Sequence, residues 1–112
     1  MKLTLTDAAI AKINAKVTND ERILLSLDDG VGPFSDAGFC SLETAYDLIV
    51  VNKSATTPDY DQPVETNIGQ WFVKGYSQTY LDDNMKIDVK NNNFVLSGDS
   101  GVLDSAVHLV HA

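Results

Sequence analysis

The residue with the most distinctive chemistry in this chain is its single cysteine, Cys40. It lies in the small-residue segment Asp36–Ser41, between two segments whose apolar residues alternate as they do in β-strands. One thiol cannot form a disulfide framework or a four-cysteine metal site, so metal chemistry at Cys40 must take further ligands from another chain or from other residue types. A thiolate metal ligand is therefore one hypothesis, and a small, partly buried structural cysteine is the other.

Carboxylates and imidazoles are the other candidate ligands. Asp36 and Glu43 flank Cys40 and could supply oxygen to a single iron or zinc ion. His108 and His111 lie near the end of the sequence, three residues apart. On a strand this spacing points the two rings to opposite faces, so they could not chelate one ion together, whereas on a helix they could share a face.

A cysteine nucleophile is a second class of function. A free thiol has a pKa of about 8.5, so a catalytic cysteine needs a nearby cation, helix N-terminus or histidine to lower that value. The acidic neighbours Asp36 and Glu43 would instead raise the pKa of the Cys40 thiol. A phosphate-binding loop is also missing, because Gly30-Val31-Gly32 lacks the third glycine and the following helix. We therefore expect no enzyme.

Composition limits the number of domains and the partners. With 16 acidic and 8 basic residues the formal charge is −8, which would repel nucleic acid and anionic membrane surfaces. A chain of 112 residues, 44% of them hydrophobic, supports one core, so we expect a single domain over residues 1–112. We find no apolar run long enough for a spanning helix, and we expect a cytoplasmic protein without a signal peptide.

Hydrophobic periodicity predicts one helix and seven or eight short strands. Thr6 is the expected N-cap of a helix over residues 7–18, in which Ile10, Ile13 and Val17 share a face. The predicted strands are Lys2–Leu5, Arg22–Asp28, Thr44–Val51, Val64–Asn67, Gln70–Tyr76, Met85–Val89, Phe94–Leu96 and Ala106–His111. Tight turns are expected at Ile68-Gly69, where Asn67 and Gly69 can take positive φ, and at Asn91-Asn92-Asn93. This order indicates a mainly β fold, a two-layer β-sandwich of short strands with one N-terminal α-helix.

Four aromatic residues lie close together in the sequence: Trp71, Phe72, Tyr76 and Tyr80. In a strand Trp71 and Phe72 must face opposite sides. Either all four belong to the core and its rim, or at least one reaches the surface and marks self-association or client docking.

Six short segments of the chain carry a family resemblance: Leu3–Ala9, Gly38–Ser41, Ala45–Leu48, Tyr80–Asp82, Met85–Val89 and Phe94–Leu96. Together they resemble the HesB/IscA-like core domain, the family of A-type iron–sulfur cluster assembly proteins, over about residues 1–98. Cluster-carrying members have a Cys-Gly-Cys type pair near the C-terminus, where this chain has Gly101–Ser105. The tail is more similar to the short, cysteine-poor branch of the family found in Gram-positive bacteria.

The resemblance implies a HesB-like fold and a non-catalytic role as an iron–sulfur cluster biogenesis or iron-carrier accessory protein. It makes Cys40 the candidate ligand for both a cluster cofactor and a metal ion. A [2Fe–2S] cluster needs about four ligands and a homodimer offers two Cys40 thiolates, so glutathione, client cysteines, or His108 and His111 would supply the rest. The implied partners are a second copy, iron–sulfur client proteins or assembly proteins. The alternative is a cofactor-free protein-interaction module on the same fold that has lost cluster binding.

Overall fold

The computed structural model describes residues 1–28 and 45–112 of the chain. The elements are β1 Lys2–Leu5, α1 Asp7–Asn14, β2 Glu21–Asp28, β3 Ala45–Asn52, β4 Gln62–Thr66, β5 Gly69–Val73, a 3₁₀ helix Gly75–Tyr80, β6 Asn84–Lys90, β7 Asn93–Gly98 and β8 Gly101–His111. No helix in this part of the chain is both long and apolar enough to cross a membrane.

The strands close into a barrel in the order β1-β4-β5-β2-β3-β8-β7-β6. β1 pairs in parallel with both β4 and β6, and β3 pairs in parallel with β8. The prediction of a mainly β fold with an N-terminal helix is confirmed, but the predicted two-layer sandwich is wrong. Inward and outward residues alternate in the same way in both architectures, and only the long-range pairing of β1 and β8 distinguishes them.

Apolar side chains from all eight strands and from α1 fill the barrel. The buried members of this cluster are Leu3, Leu5, Ala9, Ile13, Ile23, Leu25, Leu27, Tyr46, Leu48, Val50, Val64, Trp71, Val73, Met85, Ile87, Phe94, Leu96 and Val107. Because these side chains occupy the interior, the barrel is a packed core rather than a channel.

A second, smaller cluster lies on the outer face of β2 and β3. It consists of Leu24, Ile49 and Val51, with Tyr60 packed over them. β3 is therefore covered on both faces, as the apolar run Leu48–Val51 predicts.

Thr6 fixes the start of α1. Its Oγ1 accepts a hydrogen bond from Ala9 N at 3.3 Å and donates one to Asp88 Oδ1 of β6 at 2.9 Å. The helix ends at Asn14, four residues before the predicted end, and Lys16 N bonds to Ile13 O as the last turn tightens. Val17 is half-buried and still packs against the core, so the apolar spacing identified a core-facing residue that lies beyond the end of the helix.

Two hairpins turn where the sequence predicts them. Asn91 and Asn92 have φ angles of 52° and 66°, which gives the two-residue turn between β6 and β7 the twist of a type I′ hairpin. Between β4 and β5 the left-handed residue is Gly69, with φ of 128°. The predicted turns are confirmed, because asparagine tolerates positive φ at little cost and glycine, which lacks a Cβ, adopts it freely.

The carboxylate of Asp88 makes the stability of this fold dependent on pH. Its hydrogen bonds from Val89 N, 2.8 Å away, and then from Thr6 Oγ1 lower the pKa of Asp88 below the usual value of 3.8. A lowered pKa in the folded state stabilises the protein above the ordinary value, and this stabilisation is lost as the pH falls through the folded value. We expect Asp88→Asn to lower the melting temperature at pH 7 and to approach the wild type below about pH 4.

Thermal unfolding at pH 7, 5, 4 and 3 checks this expectation. Asp20→Asn is the control, because the Asp20 side chain accepts no hydrogen bond among the described residues. If the melting temperatures of wild type and Asp88→Asn differ by the same amount from pH 7 down to pH 3, the expectation is wrong.

Candidate functional site

The two ends of the connection that contains Cys40 lie side by side at one point of the barrel rim. β2 ends at Asp28 and β3 begins at Ala45, and these two residues are register partners in the antiparallel β2–β3 pair. Cys40, Asp36 and Glu43 lie outside the described residues, so the assignment of Cys40 as a cofactor and metal ligand stays a prediction.

A row of polar side chains crosses the outer face of the sheet just inside this rim. Ser26 of β2 is the register partner of Asp47 of β3, and Asp47 is the partner of His108 of β8. Lys74 extends the row on the other side of Ser26. β5 runs parallel to β2 with Phe72 opposite Leu24, and Lys74 follows Phe72 by two residues as Ser26 follows Leu24. Ser26, Asp47 and Lys74 are only 6%, 4% and 6% exposed, whereas His108 is exposed.

Tyr60 covers the middle of this row. Its hydroxyl lies 3.1 Å from Ser26 Oγ, and the centre of its ring is 5.5 Å from Lys74 Nζ. The ring of Tyr76 lies 5.7 Å from the same ammonium. Cation–π attraction of about 1 kcal/mol per ring favours the lysine head group at this otherwise costly, buried position. The row therefore brings a cation, a carboxylate and an imidazole to the rim from which the Cys40 connection leaves.

The order of the row excludes serine hydrolase chemistry within the described residues. A Ser-His-Asp triad needs the imidazole between the hydroxyl and the carboxylate. Here Asp47 lies between Ser26 and His108, which are therefore two strand spacings, about 10 Å, apart. Ser26 Oγ is hydrogen-bonded to Tyr60 instead.

Tyr46, the second residue of β3, fixes the start of this strand from inside the barrel. Its hydroxyl donates to Tyr80 O at 2.6 Å, and its backbone N–H donates to Asp104 Oδ2 at 2.9 Å. Burial raises the pKa of the Tyr46 hydroxyl, and the carboxylates of Asp104 and Asp82 raise it further. Tyr46 therefore stays protonated near neutral pH and ties the rim to β8 and to the end of the 3₁₀ helix.

The two histidines lie on opposite faces of β8, as their spacing predicts for a strand. His108 is the register partner of the outward-facing Asp47, and His111 is the partner of Val50, which points into the barrel. The ring of His111 is also 2.9 Å from Lys16 O, at the far end of the barrel. The pair cannot chelate one ion, and only His108 lies near the rim that carries the Cys40 connection.

Metal ligands are sparse in the part of the chain that the structure describes. Over residues 1–28 and 45–112 no three His, Cys, Asp or Glu side chains lie close enough to hold one ion. A metal site with three such ligands therefore needs at least one ligand from residues 29–44 or from a second molecule.

The four aromatic residues divide between core and surface. Trp71 is buried in the barrel and Phe72 packs against the outer cluster. Tyr76 and Tyr80 are each 54% exposed, and Val102 is 65% exposed. Of the two alternatives for these aromatics, the structure agrees with the second, in which at least one reaches the surface, and the placement of all four in the core and its rim is wrong.

Of the residues in the polar row, only His108 was a candidate from the sequence, and Ser26, Asp47 and Lys74 were not identified. Asp47 is the one charged residue in the apolar run Tyr46–Val51, and this interruption was the available signal. Recognising it requires the register, because Ser26 and His108 are distant in sequence and meet Asp47 only through strand pairing.

A family model described as iron–sulphur cluster biosynthesis matches residues 1–111. The chain belongs to this family. The family membership predicted from the six short segments is confirmed, and it gives the chain a general role in iron–sulfur cluster biogenesis.

Two solved structures resemble this member of the iron–sulphur cluster biosynthesis family. A candidate Fe-S biosynthesis protein from Lactobacillus salivarius is 39% identical, with a TM-score of 0.84 over 99% of this chain and 98% of that chain. A second such protein, from Lactobacillus acidophilus, has a TM-score of 0.83 over 99% of this chain and 90% of that chain. At 23% identity the second likeness shows the fold alone. Among curated proteins none matches.

Proposed function

We propose that the protein is a non-catalytic carrier of iron or of an iron–sulfur cluster, with Cys40 as its thiolate ligand. The observation that supports this proposal is the family match over residues 1–111, in a chain with a single cysteine. The metal is cargo in this proposal, so the ligand set has to release it as well as bind it. A site with few ligands from one chain suits that requirement.

We further propose His108 as the second ligand. Ala45 is the fifth residue after Cys40, so their Cα atoms are at most about 18 Å apart. His108 lies beside Asp47, two residues into β3 from Ala45, and its ring has no hydrogen bond or ion pair to the described residues. A symmetric dimer would then supply two thiolates and two imidazoles, which is the number of ligands that a [2Fe–2S] cluster needs.

The test is the metal and acid-labile sulfide content of protein reconstituted with iron and sulfide without oxygen. We expect Cys40→Ser to lose at least about tenfold in bound iron, and His108→Ala to lose part of it. His111→Ala is the matched control, because its ring lies at the far end of the barrel on the opposite face. A wild type as free of iron as Cys40→Ser would contradict the proposal.

A cofactor-free interaction module is the alternative function. The exposure of Tyr76, Tyr80 and Val102 favours it, because large exposed apolar side chains are typical of docking surfaces. In that case Cys40→Ser binds client or assembly proteins as well as the wild type does, and Tyr80→Ser does not. A pull-down of iron–sulfur client proteins with the wild type and with both variants separates the two functions.

A further inference from the structure

Exposed apolar side chains gather at one end of the barrel. Tyr76 and Tyr80 of the 3₁₀ helix and Val102 of β8 are all more than half exposed. β5 runs parallel to β2 and leads into the 3₁₀ helix, so this helix lies at the end of the barrel where β2 stops at Asp28. β8 runs parallel to β3, so it starts at the end where β3 starts at Ala45. The three exposed side chains therefore share the end of the barrel that carries the Asp28–Ala45 rim.

The Asp82 carboxylate holds the segment after Tyr80 against the start of β8. Its Oδ2 accepts hydrogen bonds from Ser100 N at 3.0 Å and from Ser100 Oγ at 2.8 Å. Asp82 lies two residues after Tyr80, and Ser100 lies two residues before Val102. This contact brings the segments that carry Tyr80 and Val102 together.

Tyr46 makes a second link between the same two segments. Its hydroxyl donates to Tyr80 O at 2.6 Å, and its backbone N–H donates to Asp104 Oδ2 at 2.9 Å. Val102 lies two residues before Asp104, so the chain on both sides of Val102 is joined to the segment that carries Tyr80. Tyr76 lies four residues before Tyr80, about 8 Å along the 3₁₀ helix. We call Tyr76, Tyr80 and Val102 the Tyr80 surface.

Carboxylates lie around the Tyr80 surface. Asp61 Oδ1 accepts a hydrogen bond from Gly75 N at 3.1 Å, so it lies beside Tyr76. The hydrogen bonds from Ser100 N and then from Ser100 Oγ hold the pKa of Asp82 below its usual value, so this carboxylate is charged at neutral pH. The acidic side chains at this end of the described chain include Asp61, Asp82, Asp83, Asp99 and Asp104. The Tyr80 surface is therefore bordered by negative charge.

Most of the basic side chains lie at the opposite end of the barrel. These are Lys12, Lys16, Arg22, Lys53 and Lys90. Lys86 lies within β6, and Lys74 is buried, so Lys2 is the one exposed basic side chain at the Tyr80 end of the described residues. The sequence of residues 29–44 contains no lysine or arginine. Charge is therefore segregated along the barrel axis, and the Tyr80 end attracts cationic groups.

We propose that the Tyr80 surface docks a basic segment of a partner protein. An apolar side chain of that segment packs against Tyr80 and Val102, and its lysine or arginine side chains meet Asp83 and Asp99. The same carboxylates repel nucleic acid and a second copy of this chain, which has a net charge of −8. The inference rests on the proposed carrier function only for the purpose of docking, which is to hold a client beside the Asp28–Ala45 rim.

A short peptide tests the surface without any metal. The probe is the capped hexapeptide Lys-Lys-Leu-Phe-Lys-Lys, titrated into the full, metal-free chain while amide chemical shifts are recorded. We expect a dissociation constant on the order of 0.1–1 mM at low salt, weakened at least about threefold by about 0.5 M salt. The capped peptides Glu-Glu-Leu-Phe-Glu-Glu and Lys-Lys-Gly-Gly-Lys-Lys should each bind at least about threefold more weakly, because the first lacks the cations and the second lacks the apolar side chains. The shifts should be confined to residues 75–83 and 99–104.

Matched variants make the test specific to the Tyr80 surface. Tyr80→Ser should weaken binding of the basic peptide at least about threefold, whereas Ile68→Ser, in the β4–β5 turn at the opposite end, should not change it. Asp83→Asn should weaken binding about twofold or more, whereas Asp20→Asn, just before β2 at the opposite end, should not. If Tyr80→Ser does not fold, Val102→Ser makes the same comparison.

Equal binding by the two members of either pair, equal binding of the acidic peptide, or no binding of the basic peptide up to about 10 mM would each overturn the proposal. Shifts at the same residues when the protein alone is concentrated would also overturn it, because a second copy would then cover the surface. Iron content is measured separately. A chain that takes up no iron but binds the basic peptide at this surface would contradict the carrier function and support the docking surface, and the reverse result would do the opposite.

Discussion

Leu5→Ala should destabilise the protein by about 3–4 kcal/mol, a large part of the 5–15 kcal/mol that holds a domain of this size folded. Leu5 is 2% exposed and packs in the main core. Its truncation removes buried apolar surface and leaves a cavity that the closed barrel cannot easily collapse. Urea unfolding followed by Trp71 fluorescence measures the loss, with a lower midpoint and an unchanged slope.

The effect is large because β1 closes the barrel. β1 has only four residues, yet it pairs with β4 on one side and with β6 on the other. Where β4 ends, the side chain of Asn67 replaces it: Leu5 N donates to Asn67 Oδ1 at 2.9 Å, and Asn67 Nδ2 donates to Leu5 O at 3.0 Å. Truncation of Leu5 therefore weakens the pairing of β1 with both β4 and β6, and these two pairings close the barrel.

Thr4→Ala is the matched control for Leu5→Ala. Thr4 lies on the same strand and points outward, so its truncation should change stability by less than about 0.5 kcal/mol. A loss at Leu5 no larger than the loss at Thr4 would show that β1 is not needed to close the barrel.

β1 also shows which parts of the fold could be predicted from sequence. The alternation of Lys2–Leu5 was enough to predict a strand and its buried face. The partners of β1 could not be predicted, because residues near 65 and 85 meet it through backbone hydrogen bonds that leave no local sequence pattern. The same pairings distinguish a barrel from a sandwich, which is why the strands were found and the architecture was wrong.

The turns, by contrast, could be predicted because a turn depends on a few adjacent residues. The hairpin β6–β7 is set by Asn91 and Asn92, whose residue type and conformation are linked directly. The helix was predicted too long, because Val17 keeps the apolar spacing after the backbone has left the helix. Periodicity identifies the buried side chains more reliably than it identifies the backbone that carries them.

The candidate site divides in a similar way. Cys40 could be selected by residue type alone, since a lone thiol is recognisable without a structure. The row through Asp47 and His108 depends on strand register, so it could not be derived from spacing in the sequence.

Gly98→Ala should destabilise the protein by about 2 kcal/mol and lower its melting temperature by roughly 5–10 °C. A Cβ on Gly98 would overlap Asp82 Oδ2 and would lie 2.9 Å from both Cβ and Cγ of Asp82. Contacts this short force the Asp82 segment to move. The Asp82 carboxylate would then lose its hydrogen bonds from Ser100 N, at 3.0 Å, and Ser100 Oγ, at 2.8 Å.

The loss should be coupled to Asp82 rather than to the backbone at Gly98. Asp82→Ala removes two of the three close atoms, so adding Gly98→Ala to it should cost clearly less than Gly98→Ala costs alone. Calorimetry of the two single variants and the double variant completes the cycle. If the two stability losses are strictly additive, Gly98 is needed for another reason. If they are coupled, the glycine in β7 makes room for the Asp82 carboxylate, which joins residues 81–83 to the β7–β8 turn. Because the Ser100 hydrogen bonds hold the pKa of Asp82 below its usual value, this part of the stability should also fade as the pH drops below about 4.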